Sequence, residues 1–177
     1  NKRRIVLPEG ADTTMVQAAS RLASEGIASP IVLGAEDKIK EAAQGASLDG
    51  VEIANPKDKG KLEQYGAAYA KNRDMPESTA ARVVKRDLMF GAMMVSEGDA
   101  DAMVAGISKA TAQVISAASL AIGFEEGISQ PSSFFLMVMP RTPERVLVFA
   151  DCAVAIEPDA KGMAEIAVAT ARNTRKL

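Results

Sequence analysis

The stretch Ser132 to Asp159 reads SSFFLMVMPRTPERVLVFADCAVAIEPD. Phe134 to Met139 is an unbroken apolar run, rich in strand-forming residues and too short to span a membrane. Pro140 and Pro143 interrupt it, with Arg141-Thr142 between them as a polar turn. A second apolar run, Val146-Leu147-Val148-Phe149, lies within Arg145 to Ala150 and ends on Asp151. Two such runs joined by a short turn predict a β-hairpin buried in a larger sheet. Asp151 stands where the second strand leaves the core, and polar groups that serve ligands collect at such strand ends in open α/β sheets. The plainer role, capping the turn or the strand end, stays open beside it.

Upstream, strands and helices alternate. Ile5-Val6-Leu7 is a short strand stopped by Pro8, Glu9 and Gly10. Asp12 or Thr13 then caps a helix with Met15, Val16, Ala19, Leu22 and Ala23 on one face, and Gly26 ends it. Pro30 to Gly34 reads as a second strand, Glu36 to Ala43 as an amphipathic helix, and Val51 to Ala54 as a weaker third strand. This alternation with short turns predicts parallel βαβ units. From Pro56 onward helices dominate: Lys57 to Asn72, one starting at Pro76-Glu77, and Asp87 to Gly98 with a methionine-rich face that suits irregular core packing. Ala100 to Ala105 is a further strand, closed by Gly106.

After that glycine comes Ile107-Ser108-Lys109-Ala110-Thr111, leading directly into a helix over Ala110 to Ile122. Backbone N–H groups at a helix start, the Ser108 and Thr111 hydroxyls and the Lys109 ammonium form a candidate anion cradle. An ordinary Ser N-cap beside a solvated lysine is the alternative. Neither a P-loop nor a dinucleotide fingerprint is present.

Composition narrows the function. At 177 residues there is room for one sizeable domain, or one plus an appendage. A formal net charge of −2 with scattered Lys and Arg argues against nucleic acid or an anionic membrane as partner. With no histidine and one cysteine, a zinc site or a Ser-His triad is excluded. Cys152 reads as a small core residue, and the single thiol suits a reducing cytoplasm, the expected compartment. Because the chain opens on Asn1-Lys2-Arg3-Arg4 and closes inside a helix without a stop signal, it is expected to be a segment of a longer polypeptide.

Several stretches together resemble the phosphate acetyltransferase (phosphotransacetylase) family, within the phosphate acetyl/butyryl transferases. They are IVLPEGAD at 5–12, GIASPIVLGAEDKI at 26–39, LMFGAMMVSEGDADAMVAGISKATAQVI at 88–115, SSFFLMVMP at 132–140 and VFADCAVAIEPDAKGMAEIAVATA at 148–171. The resemblance implies a three-layer α/β/α fold of the isocitrate/isopropylmalate-dehydrogenase type, with a mostly parallel sheet and a C-terminal β-hairpin. Residues 1–177 would form the N-terminal portion of such a transferase domain, the second half being absent. It also implies a homodimer that catalyses acetyl-CoA plus phosphate giving acetyl phosphate plus CoA. CoA is then a substrate, with no further cofactor and no catalytic metal.

By the same resemblance, Ser108, Lys109 and Thr111 are expected to contact the anion or acyl phosphate. Ser132 and Ser133 would border the cleft, Asp151 would position other residues there, and Arg73 matches a substrate-binding arginine of the family. The family's catalytic base falls outside this chain. Two positions depart from the family pattern: Lys109 stands where a histidine is usual, and Ser116-Ala117 replaces an arginine followed by proline or a small residue. Serine supplies neither the charge nor the donor fork of arginine, and Lys109 is the candidate replacement for that charge. Two alternatives follow: a non-catalytic acetyl-CoA-binding domain of the kind appended to malic enzymes, or a transferase preferring propionyl or butyryl groups.

Overall fold

A computed structural model describes residues 2–140 and 145–176, in two compact units, Asn1–Ile122 and Gly123–Leu177. In the first unit, β1 (Arg4–Leu7), β2 (Ser29–Leu33), β3 (Glu52–Ala54) and β4 (Ala102–Met103) form one parallel sheet in the order β3-β2-β1-β4. Its register sets Ile5 against Pro30 and Val6 against both Ile31 and Met103. Pro30 is tolerated in an internal strand because of where it falls. The Ser29 amide bonds Arg3 O on the β1 side, so the missing N–H of Pro30 faces β3, whose pairing begins only at Ile31.

The strands read as continuous apolar runs because both faces of the sheet are covered. Leu7 and Val32 point to one side, where α1 (Thr13–Ser24) contributes Met15, Val16 and Ala19, and α2 (Glu36–Ala43) contributes Ile39, Ala42 and Ala43. Val6, Ile31 and Leu33 point to the other, against α3 (Lys59–Arg73), α4 (Glu77–Val84), α5 (Asp87–Ser96) and α6 (Thr111–Ala121). The expected three layers are present here. Asp12 caps α1, its carboxylate accepting from Met15 N at 3.0 Å, as the sequence suggests.

The methionine-rich helix α5 is core. Met89 to Met94 are all buried, and Gly91 lets the helix approach the sheet so closely that a Cβ there would lie 3.1 Å from Met103 Sδ. Beside it Tyr65 is fully buried, packed edge-on against Phe90 at 5.1 Å. The Tyr65 hydroxyl donates to Asp99, which also receives Lys61 Nζ at 2.7 Å. Burial, reinforced by that carboxylate, raises the phenol pKa. Tyr65→Phe keeps the packing but removes one donor from an Asp99 still paired with Lys61. A loss of about 1–2 kcal/mol is expected in urea unfolding at neutral pH.

β4 is shorter than the Ala100 to Ala105 run. Among the described residues it pairs with β1 alone, and beyond Met103 the ladder continues as Val104 N to Val6 O at 3.0 Å.

The second unit contains the hairpin, β5 (Phe134–Met139) antiparallel to β6 (Arg145–Ala150), followed by α7 (Ala160–Thr174). The turn read at Arg141-Thr142, with Pro143, lies outside the described residues. Asp159 caps α7 through Gly162 N at 2.7 Å. One expectation is corrected: the hairpin is a two-stranded sheet of its own and is not buried in a larger one. Phe135, Leu136, Val138, Val146 and Phe149 are each 46–60% exposed. Among the described residues of this unit α7 is the helix that packs on the hairpin, and strands apolar on both faces stay largely uncovered.

Candidate active site

The order β3-β2-β1-β4 reverses direction between β1 and β4, and in open α/β sheets ligand crevices open at such a point, beyond the carboxyl ends of the strands. Here that place is built by two loops, Pro8-Glu9-Gly10 after β1 and Gly106-Ile107-Ser108 after β4. Glu9 is only 5% exposed. Its carboxylate accepts from Gly106 N at 2.6 Å, Ile107 N at 3.2 Å, Ser108 N at 2.6 Å and the Ser108 hydroxyl at 2.7 Å. Burial pushes its pKa up, but the Ser108 hydroxyl and the three amides outweigh burial and hold it at about 2. Gly106 takes φ +112°, a conformation that glycine supplies without strain.

This changes the reading of the anion cradle. The amides and the Ser108 hydroxyl that the sequence offers to an external anion are occupied by the chain's own Glu9. Nor does Ser108 cap α6. Ala110 holds the cap position, and its N–H donates to the Gln113 side chain at 3.2 Å. Thr111 begins α6 on an exposed surface.

Lys109 sits at a wall shared by two cavities. One, of about 460 Å³, lies at the strand ends and includes Glu9, Gly10, Lys57, Asp87 and Ser108. The other, of about 590 Å³, lies between α6 and the junction of α4 with α5. Lys109, Arg86, Asp87, Gln113 and Ser116 are its polar lining, and Val83, Leu88, Met89 and Leu120 are among its apolar lining. Burial raises the Asp87 pKa, countered by Lys109 and Lys57. Lys109 and Ser116, the two departures from the family pattern, therefore face one space. Arg86 joins them. Sequence reading missed it because an arginine just before a helix resembles any solvated surface cation.

Arg73 is placed elsewhere. Its guanidinium donates to Ser119 O at 3.0 Å and to Leu120 O at 2.8 and 3.2 Å, at the opposite end of α6 from Lys109. In the second unit, Ser133 and Asp151 come together. Asp151 accepts from Ser133 N at 2.6 Å, the Ser133 hydroxyl at 2.8 Å, Val154 N at 3.0 Å and Ala155 N at 2.6 Å. Burial pushes the Asp151 pKa up, and these donors, Ala155 first, bring it down to about 2. The Ser133 hydroxyl also accepts from Cys152 N at 3.0 Å. Ser132 is half-buried just before β5. Among the described residues no cluster of metal-ligating side chains occurs, and no helix is long and apolar enough to cross a membrane.

Comparison with known proteins agrees with this architecture. A phosphotransacetylase from Streptococcus pyogenes superposes with a TM-score of 0.89 at 35% identity, covering 98% of this chain and 54% of that one. The EutD phosphotransacetylase from Staphylococcus aureus gives 0.88 at 31% identity, covering 98% and 53%. In sequence, the phosphate acetyltransferase of Thermoanaerobacterium thermosaccharolyticum is 37% identical over 183 aligned positions, covering 100% of this chain and 56% of that protein. That of Bacillus subtilis is 35% identical, covering 98% and 54%. The chain thus spans about half the length of these relatives. The family model for phosphate acetyl/butaryl transferase matches residues 1–177, and the chain belongs to that family.

Proposed function

We propose that residues 1–177 are the N-terminal portion of a phosphate acyltransferase that moves an acetyl group between CoA and phosphate. The observation that carries this reading is the cavity between α6 and the α4–α5 junction, where Lys109 and Arg86 meet an apolar lining. A phosphate dianion needs cationic donors, and an acyl thioester needs an apolar slot. In the direction of acetyl-CoA, the CoA thiol gives its proton to a base, and its sulfur attacks the acetyl carbon. The bond from that carbon to the phosphate oxygen then breaks, and phosphate leaves. Lys109 and Arg86 hold the departing charge, while the base comes from residues beyond this chain. CoA is a substrate, and no other cofactor or metal enters the scheme.

The exposed apolar hairpin supports the domain assignment: β5 and β6 await a cover that the other half of the polypeptide would supply. The same reading carries a cytoplasmic homodimer, which light scattering on the intact protein would test. Ser108, Thr111 and Arg73 enter it as first-unit residues around the cavity, with Lys109 touching the anion; Ser132, Ser133 and Asp151 enter it as substrate-binding candidates of the second unit.

Charge reversal tests the assignment in the intact parent protein, following phosphate-dependent loss of the acetyl-CoA thioester. Lys109→Glu is expected to raise the KM for phosphate about tenfold or more. Lys40→Glu, at an exposed lysine that pairs with Glu36 at 2.6 Å, is expected to change it less than about twofold. Equal small effects would reject the role of Lys109. Ser116 favours a second reading, a non-catalytic acetyl-CoA-binding domain, and saturable acetyl-CoA binding without turnover would select it. Faster turnover of propionyl- or butyryl-CoA would instead reassign the acyl group.

A further inference from the structure

We infer that α6 is a cavity wall held in place by two polar clamps, Glu9 at its leading loop and Arg73 at its trailing end. Both are positioning residues, and their effect on the ligand rests on the cavity reading above. Apolar burial on α6 is modest: among the described residues its buried positions are Ala117 and Ala121, with Val114 and Ile115 half-buried beside them. Two methyl groups contribute less than one buried leucine. Yet Ala112, Gln113, Ser116, Ala117 and Leu120 all line the cavity, so the position of α6 determines its width.

The ends of the helix are held by groups distant in sequence. Four hydrogen bonds fix Gly106 to Ser108 on the Glu9 carboxylate, and these residues lead directly into Lys109. At the other end, the Arg73 fork satisfies Ser119 O and Leu120 O, carbonyls near the helix end where intrahelical partners run out. A cation there also complements the helix dipole. Arg73, expected from the sequence to touch substrate, acts on the helix that lines the cavity. Glu9 sets Lys109 through the loop before it.

Hydrogen exchange on the chain, paired with kinetics of the intact parent, tests this. Glu9→Gln and Arg73→Gln should each speed amide exchange in α6 about tenfold. Each should also raise the KM for phosphate about fivefold or more, with kcat changed less than about twofold. Arg73→Lys, which keeps the charge but loses the fork, should fall between wild type and Arg73→Gln. Ile39→Val, in the core on the other face of the sheet, should leave α6 exchange and the KM unchanged. If Glu9→Gln does not fold, Ser108→Ala removes one of the four bonds and should shift both readouts the same way by less. Unchanged α6 exchange in the clamp variants overturns the inference, and so does an equal rise in Ile39→Val. Faster α6 exchange with an unchanged KM, in a protein where Lys109→Glu does raise the KM, overturns the positioning role. Faster exchange with no KM effect from Lys109→Glu leaves the clamps standing and rejects the cavity reading instead.

Discussion

Gly10→Ala is expected to destabilise the first unit by about 3 kcal/mol or more, which is a fall in Tm of roughly 6–12 °C. Gly10 is buried, and a Cβ there would run into the Leu33 carbonyl oxygen and lie 2.7 Å from Val32 Cγ1. Both neighbours belong to β2, an internal strand paired on both sides, so neither can retreat without breaking its ladder. Ile39 Cγ1 at 3.1 Å closes the third direction. The clash also lies one residue from Glu9, so relieving it would drag the carboxylate from the loop it holds. Thermal unfolding followed by circular dichroism checks this. A Tm within about 2 °C of wild type would show that the loop after β1 has slack the packing does not reveal.

Acid should remove a further part of the stability, and Glu9 should account for much of it. Its pKa is held at about 2 in the fold against an ordinary 4.5. The folded value lies below the unfolded one. Its contribution is therefore complete above about pH 5 and is lost as the pH falls toward 2. The gap corresponds to about 3 kcal/mol. Urea midpoints from pH 7 down to pH 2.5 should fall for wild type and fall less for Glu9→Gln, which starts lower because an uncharged amide cannot accept four donors. The difference between the two curves isolates Glu9 from Asp99 and Asp151, whose pKa values are also lowered. Parallel curves would mean that the Glu9 carboxylate is not what holds the loop.

Much of the fold was legible along the chain because its causes are local. Asp12 before a helical apolar face announces α1, and the three short runs around Val6, Ile31 and Ile53 announce strands. The hairpin at 134–150 is equally plain from its two apolar runs. Its surroundings were not, because an apolar strand signals burial without saying which element covers it. The site divides in the same way. Lys109 and Ser116 stood out as chemistry in unexpected places, and a separation of seven positions, mostly within α6, is short enough to bring both to one cavity. Ser133 and Asp151 were read as separate cleft residues, and only the pairing of β5 with β6 makes them one hydrogen-bonded unit.

By itself the amino-acid sequence determined the alternation of strands and helices, the caps, the parallel character of the first sheet and the family, all set by neighbours a few residues apart. Tertiary structure alone decided what the polar groups do. Glu9 meets Gly106 to Ser108 across 97 to 99 positions, and Arg73 meets Ser119 and Leu120 across 46 and 47. No spacing rule reaches that far. Those bonds exist because the sheet places β1 beside β4 and lays α6 along α5.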